Sequence, residues 1–207
     1  MSAGDFDLVV WDFDGVLNAN VVDGRFVWSD GLDTDLGIDS IAFSDFVFRS
    51  GRMREVISGR LDLHDLVGPW LADQGHAINA RDFVAYWWKK DARPDREIIA
   101  LSERLSERLA VRQVIGTNNE QHRARYIEED MGIGRLVERI FASGRMGVAK
   151  PDAGFFRQIE DWAGLPPERI LLIDDLGKNI ASAQNLGWQV FHFTPATRAA
   201  LPARLGL

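Results

Sequence analysis

Five short apolar runs, separated by stretches with helical spacing or by one long insertion, constrain this chain more than any other feature. They are Phe6 to Trp11, Val111 to Ile115, Arg139 to Ala142, Ile170 to Ile173 and Trp188 to Phe193. Each is short and rich in Val, Ile, Leu or Phe, the pattern of a buried strand. Ahead of the second run, Ile98, Leu101, Ser102, Leu105 and Leu109 share one helical face, while Glu103, Arg104, Glu107 and Arg108 take the other. Further helices are expected over Glu120 to Met131, Asp152 to Ala163 and Lys178 to Leu186, closed by Gly132, Gly164 and Gly187. Such alternation predicts parallel βαβ units. The expected fold is α/β, a doubly wound, Rossmann-like parallel sheet with helices on both faces.

Residues 19–90 break that alternation directly after the first run. Helical pieces are expected there over Ile41 to Phe48, Leu61 to Ala72 and Asn79 to Trp88. They predict a small helical subdomain above the end of the first strand. The expected division is therefore 1–18 with 91–207 for the core and 19–90 for the insertion, with hinges near 17–20 and 89–94.

Charge and composition narrow the function. The 207 residues carry 24 Lys plus Arg against 31 Asp plus Glu, a net charge of −7. The densest basic run is the pair Lys89 and Lys90, so a nucleic-acid partner is not expected, since phosphate backbones are held by concentrated Lys and Arg. The chain has no Cys. Disulfides, thiolate nucleophiles and zinc–sulfur sites are thereby excluded, and covalent chemistry falls to oxygen or nitrogen. Met1 to Asp7 carries Asp5 and Asp7 and does not read as a secretory signal. The longest uncharged stretch, Asn179 to Thr197, is interrupted by Gln184, Asn185, Gln189, His192 and Pro195, so no membrane span is expected. These readings point to a cytoplasmic protein with a small-molecule partner.

The chemistry is written at the strand ends. The first run stops at Asp12 and Asp14, the second at Thr117, Asn118 and Asn119, and the fourth at Asp174 and Asp175, while Lys150-Pro151 follows the third. In a parallel sheet the carboxyl ends of neighbouring strands converge, and ligands bind there. That edge would hold four carboxylates, one ammonium and one hydroxyl. Crowded carboxylates repel unless a cation sits between them or some take protons. An all-oxygen set without His or Cys suits magnesium, which shares its remaining positions with water and substrate phosphate. Lys150, Thr117 and the backbone N–H groups of the following helix start would then hold a phosphoryl oxygen.

These residues carry a resemblance. Asp12-Phe13-Asp14-Gly15-Val16-Leu17, Val114-Ile115-Gly116-Thr117-Asn118, Lys150-Pro151-Asp152 and Leu171-Leu172-Ile173-Asp174-Asp175 resemble the four ordered motifs of the haloacid dehalogenase-like superfamily, from Phe6 to about Phe193. The insertion after the first motif is similar to the helical cap of one large subgroup that includes small sugar-phosphate phosphatases. The resemblance implies Asp12 as nucleophile forming an aspartyl phosphate, and Asp14 as general acid and base. It implies Thr117 and the Asn118 N–H as holders of the transferring group, with Lys150 orienting Asp12. Magnesium would contact Asp12, the Asp14 backbone carbonyl and Asp174, with Asp175 direct or through water and Asn179 beside them.

Read so, the chain is a magnesium-dependent phosphatase of a small phosphorylated metabolite, such as a sugar phosphate. A phosphosugar mutase and a non-catalytic phosphometabolite-binding protein are the alternatives. Dehalogenation is disfavoured because it needs neither the metal nor an acid two residues after the nucleophile. A phosphonate hydrolase would call on a lysine of the insertion, where Lys89 and Lys90 stand at the exit. In one departure, Asp152-Ala153-Gly154-Phe155-Phe156 lacks the family's second proline, which bears on the loop presenting Lys150.

Other residues take ordinary roles by default. Trp28, Trp87 and Trp88 are expected in a core, with a pocket as the other reading. His64, His76, His122 and His192 show no metal-ligand spacing. Arg49, Arg52, Arg54 and Arg60 read as a solvated helix face.

Overall fold

The computed structural model describes residues 5–108 and 111–207. Leu109, expected on the apolar face of the helix before the second run, lies outside them. In chain order the elements begin with β1 (Leu8–Trp11), the hairpin β2 (Val21–Val22) and β3 (Arg25–Phe26), then α1 (Leu32–Leu36), α2 (Ser40–Ser44), α3 (Arg52–Ile57), α4 (Leu63–Asp73) and α5 (Ala80–Asp91). The chain continues with α6 (Arg96–Arg108), β4 (Arg112–Thr117), α7 (Gln121–Glu128), β5 (Arg139–Ala142), α8 (Ser143–Met146) and α9 (Ala153–Ala163). It closes with β6 (Ile170–Asp174), α10 (Gly177–Asn185), β7 (Gln189–His192) and α11 (Leu201–Leu205).

The five expected apolar runs are the five strands of one parallel sheet, in the order β5-β4-β1-β6-β7. Strand β1 lies at its centre, with Val10 level with Val114 on one side and Leu172 on the other. All four residues of β1 are buried, as a strand covered on both faces requires. The period of two then sorts them. Leu8 and Val10 pack with Phe155, Phe156 and Ile159 of α9, and Val9 and Trp11 pack with Leu105 of α6 and Ile127 of α7. Helices therefore cover both faces, which is the doubly wound arrangement.

Burial of Trp11 brings a polar demand. Its indole N–H donates to Gln113 Oε1 at 2.9 Å, and Ser102 Oγ donates to the same oxygen at 2.8 Å. Gln113 in turn donates to the Ser102 carbonyl at 3.0 Å and to Ser106 Oγ at 2.6 Å, tying α6 to the sheet.

Trp28 and α1–α5 build a separate core. Trp28 stacks on Trp87 with ring centroids 4.3 Å apart, and Phe43, Val56, Leu66, Val67 and Phe83 are among the buried side chains around them. The segments entering and leaving this layer run side by side. Ala19 N–H donates to the Arg93 carbonyl at 2.7 Å, Arg93 N–H to Asn18 Oδ1 at 2.7 Å, and Asn18 Nδ2 to the Asp91 carbonyl at 2.9 Å.

The insertion is expected to be helical, and the hairpin β2–β3 is an addition to that picture. Its turn is Asp23-Gly24, with φ of 50° and 75°, the positive pair that an Asp-Gly hairpin turn adopts. Helix ends also shift: the helix expected over Glu120 to Met131 runs Gln121–Glu128, because Glu120 is its N-cap, accepting from the N–H groups of His122 and Arg123. No helix among the described residues is long and apolar enough to cross a membrane.

Candidate active site

Strand ends deliver the site. Asp12 follows β1, and its N–H still donates to the Ile173 carbonyl of β6 at 2.8 Å, so the sheet ladder fixes the residue's position. Asp12 Oδ1 accepts from the Phe13 N–H at 2.7 Å and lies 3.0 Å from Lys150 Nζ. The same ammonium lies 2.6 Å from Asp174 Oδ2. Asp174 Oδ1 caps the turn into α10 by accepting from the Leu176 N–H at 2.9 Å, and Asn179 Nδ2 donates to both Asp174 oxygens at 2.9 and 3.1 Å.

Asp12, Asp174 and Asp175 offer carboxylate oxygens within 4.8 Å of one another, a group able to hold a metal ion. Two of the three, Asp12 and Asp174, share the Lys150 ammonium there. Burial, and next the Asp174 charge, pushes the Asp12 carboxyl well above the usual range, against the pull of Lys150. The same two causes push Asp175 up to about 6. Burial alone would lower Lys150, but the carboxylates of Asp12 and Asp174 outweigh it and raise its pKa.

Asp14 faces away from that group. Its Oδ1 accepts from Asn20 Nδ2 at 2.7 Å and lies 3.1 Å from Arg123, and its Oδ2 accepts from Asn119 Nδ2 at 2.9 Å. Asn119 also donates to Thr117 Oγ1 at 2.7 Å. Thr117 is buried at the end of β4, on the side of β1 opposite Asp174. Asn118 turns its side chain to the Lys150 loop, donating to the Lys150 carbonyl at 2.9 Å and accepting from the Lys150 N–H at 2.8 Å. That clamp holds the loop lacking the second proline, and Lys150 reaches both carboxylates. Asp152 then N-caps α9 through the Gly154 N–H.

Several residues here carried no sequence signal. Arg123 is buried in α7 between Asp14 and Asp91, where burial opposes its charge but the two carboxylates raise its pKa. Asp91, at the end of α5, is pushed up chiefly by burial and accepts from Asn20 Nδ2 at 2.9 Å. Asp62, His64 and His122 also meet: Asp62 lies 3.2 Å from His64 Nδ1 and 2.9 Å from His122 Nε2. His64 and His122 come from opposite sides of the insertion boundary, so no local spacing could reveal them. Arg49, Arg52, Arg54 and Arg60 are all exposed.

Trp87 and Trp88 do both jobs considered for them. Trp87 belongs to the helical core, and both indoles, with Trp28, line a cavity of about 250 Å³ that opens beside Asp14, Asn118 and Asn119.

The chain and its fold match known proteins. The model of the haloacid dehalogenase-like hydrolases matches residues 6–187. A haloacid dehalogenase family enzyme of Bacteroides thetaiotaomicron, solved with magnesium and inorganic phosphate, superposes with a TM-score of 0.72 at 18% identity, covering 91% of this chain and 94% of that one. A predicted hydrolase of the same family from Porphyromonas gingivalis gives 0.70 at 19% identity over 96% and 98%. The L-2-haloacid dehalogenase of Xanthobacter autotrophicus gives 0.64 at 14% identity over 94% and 81%. These likenesses establish the fold. A drimenol cyclase of Aspergillus calidoustus is 39% identical over 59 residues, so the match spans 28% of this chain and only 11% of that protein. With the family model matched across nearly the whole sheet and its strand-end residues, the chain belongs to the haloacid dehalogenase-like hydrolases.

Proposed function

We propose that this hydrolase is a magnesium-dependent phosphatase that cleaves a small phosphate monoester through an aspartyl phosphate on Asp12. The observation that carries the reading is the group of buried Asp12 and Asp174 with half-buried Asp175, the first two paired with Lys150, and with Asp14 held separately by Asn20, Asn119 and Arg123. A dehalogenase needs no such acidic group. The donor set fits magnesium, being oxygen throughout, and Asn179 Oδ1 is buried without a donor beside Asp174, a place for a proton of a bound water. Asp12, Asp174, Asp175 and the Asp14 carbonyl would hold the ion. When bound, magnesium offsets the repulsion between the Asp12 carboxylate and an incoming phosphate.

Asp12 attacks phosphorus with a carboxylate oxygen, forming the O–P bond of the intermediate as the ester O–P bond breaks. Asp14 gives its proton to the departing ester oxygen, releasing an alcohol. It then takes a proton from water, whose oxygen attacks phosphorus and frees Asp12 and inorganic phosphate. Thr117 Oγ1 and the Asn118 N–H receive the non-bridging oxygens, and Lys150 favours the ionised form of Asp12 against the burial that raises it and holds it in line. Residues 19–90 form the cap over the core of 1–18 and 91–207 and exclude bulk water from the intermediate.

Phosphate release from a panel of phosphate monoesters, with magnesium or chelator, tests the reading for wild type and Asp12→Asn. Turnover that requires both magnesium and Asp12 supports it. Turnover surviving Asp12→Asn removes the nucleophile, and release of halide from a 2-haloacid without metal would replace the phosphatase with a dehalogenase.

A further inference from the structure

We infer that the substrate of this site is the phosphate monoester of an apolar alcohol, an isoprenoid or fused-ring aromatic body of about ten carbons, and not a sugar phosphate. The inference rests on the phosphatase reading above and concerns what the leaving group must be.

The cavity beside Asp14 decides it. Its upper wall is Trp28, Phe48, Met53, Leu63, Trp87 and Trp88, from separate pieces of the helical layer. The walls are therefore side chains that hold no hydroxyl and, apart from the indole N–H groups, no hydrogen-bonding atom of any strength. Phe26 and Phe48 also line it while 44% and 37% exposed, so large apolar rings are kept in contact with water at its rim.

The floor is polar, but its groups are committed to one another except for Arg123 Nε, which, like the Trp88 indole N–H of the wall, is buried out of reach of the cavity without a partner. Asp14 is engaged by Asn20, Asn119 and Arg123, and Arg123 by Asp91. Both Glu120 oxygens accept from the first amides of α7 at 2.6 and 2.5 Å, and Asn118 is spent on the Lys150 backbone. A sugar entering here would have to break those pairs or bury its hydroxyls against rings, and each unmatched hydroxyl carries a desolvation penalty. An apolar body meets no such penalty and gains from leaving water.

Size follows from the volume. A dry apolar cavity of about 150 Å³ admits benzene. By proportion, the cavity here of about 250 Å³ holds about ten carbons. Asp12, Thr117 and Lys150, which hold the phosphate in the reading above, do not line the cavity, whereas Asp14 does, so the cavity receives the leaving group whose oxygen Asp14 meets.

Kinetics on matched esters test this. Geranyl monophosphate and 1-naphthyl phosphate are compared with glucose 6-phosphate and glycerol 3-phosphate in magnesium, for wild type and for Phe48→Asp, a substitution at a position 37% exposed, with thermal unfolding of the variant measured alongside. We expect kcat/KM for the two apolar esters to exceed that for the two polar ones by about a hundredfold or more, and Phe48→Asp to shrink that ratio by about tenfold, the value of one side chain's lost apolar contact. Equal or greater turnover of glucose 6-phosphate overturns the inference while leaving the phosphatase intact. Calorimetric titration of wild type with 1-naphthylmethylphosphonate and methylphosphonate keeps the question answerable when no ester is hydrolysed. Tighter binding of the naphthyl compound by about tenfold or more, lost in Phe48→Asp, supports the apolar cavity even where the phosphatase reading fails. Equal binding of the two phosphonates overturns the inference.

Discussion

Gly15 and Asp175 are in direct contact: a Cβ placed on Gly15 would lie 2.5 Å from Asp175 Oδ2. Gly15 also sits at φ of 82°, a conformation that other residues adopt only under strain. One missing methyl therefore lets the loop after β1 and the loop after β6 close on each other. Gly15→Ala is expected to destabilise the protein by about 1–3 kcal/mol. It should also displace Asp175, raising the magnesium concentration needed for half-maximal phosphate release. Urea unfolding and a magnesium titration of activity check both parts, and an unaltered magnesium requirement would separate Asp175 from the metal.

Lys150 is the single cation shared by Asp12 and Asp174, at 3.0 and 2.6 Å. Lys150→Met leaves buried carboxylates without it, for an expected loss of about 3–5 kcal/mol. Turnover should fall by about 10²–10³-fold as the oxygens of the transferring group lose their charge partner. Added magnesium should recover part of the stability, since an ion that binds only the folded state stabilises it. Thermal unfolding with magnesium and with chelator measures this, and a variant as stable as wild type in chelator would contradict the account.

Gln113 satisfies the buried Trp11 indole and two serines of α6. Gln113→Leu removes the acceptor and leaves the Trp11 N–H unpaired, for an expected cost of about 1–3 kcal/mol. Denaturant unfolding reads it, and Trp11 fluorescence should report the change because its N–H partner is lost. A stability within about 0.5 kcal/mol of wild type would sink this reading of the network.

Asp95 joins α6 to the C-terminal segment. Its carboxylate accepts from Arg198 at 2.6 and 2.8 Å and from the Ile98 N–H at 3.2 Å. Burial pushes its carboxyl up, but the Arg198 hydrogen bonds and the α6 amides outweigh burial and hold it below the usual range. A lowered folded pKa means the stabilisation is complete above the unfolded value near 4 and is lost as pH falls through the folded value. Asp95→Asn, which keeps a capping side chain but loses the charge facing Arg198, should cost about 1–2 kcal/mol at pH 7. The difference from wild type should shrink below about pH 4. A pH series of unfolding curves tests it, and a gap that widened in acid would reverse the sign.

The strands were legible because a strand buried on both faces must be a short apolar run, and the catalytic candidates were legible because each run stops at a polar residue. Asp12, Thr117 and Asp174 follow from that rule, since parallel strands bring their carboxyl ends together whatever lies between them, and Lys150 follows from the loop after the third run. The Asp23-Gly24 turn was equally written in the chain, although the insertion around it reads as helical.

Contacts between distant segments were not legible. Arg123 meets Asp14 and Asp91, and His122 meets Asp62, only after α7 docks beneath the helical layer. No spacing rule connects such residues. The direction of Asp14, away from the acidic group and toward Asn119, was likewise decided by which donors the fold brought near. Amino-acid order determined which backbone stretches could be buried and where each had to turn polar, because those are local demands of hydrogen bonding and hydration. The tertiary structure alone decided which charges share a partner and that aromatic side chains enclose the cavity beside Asp14, because both depend on surfaces meeting across the fold.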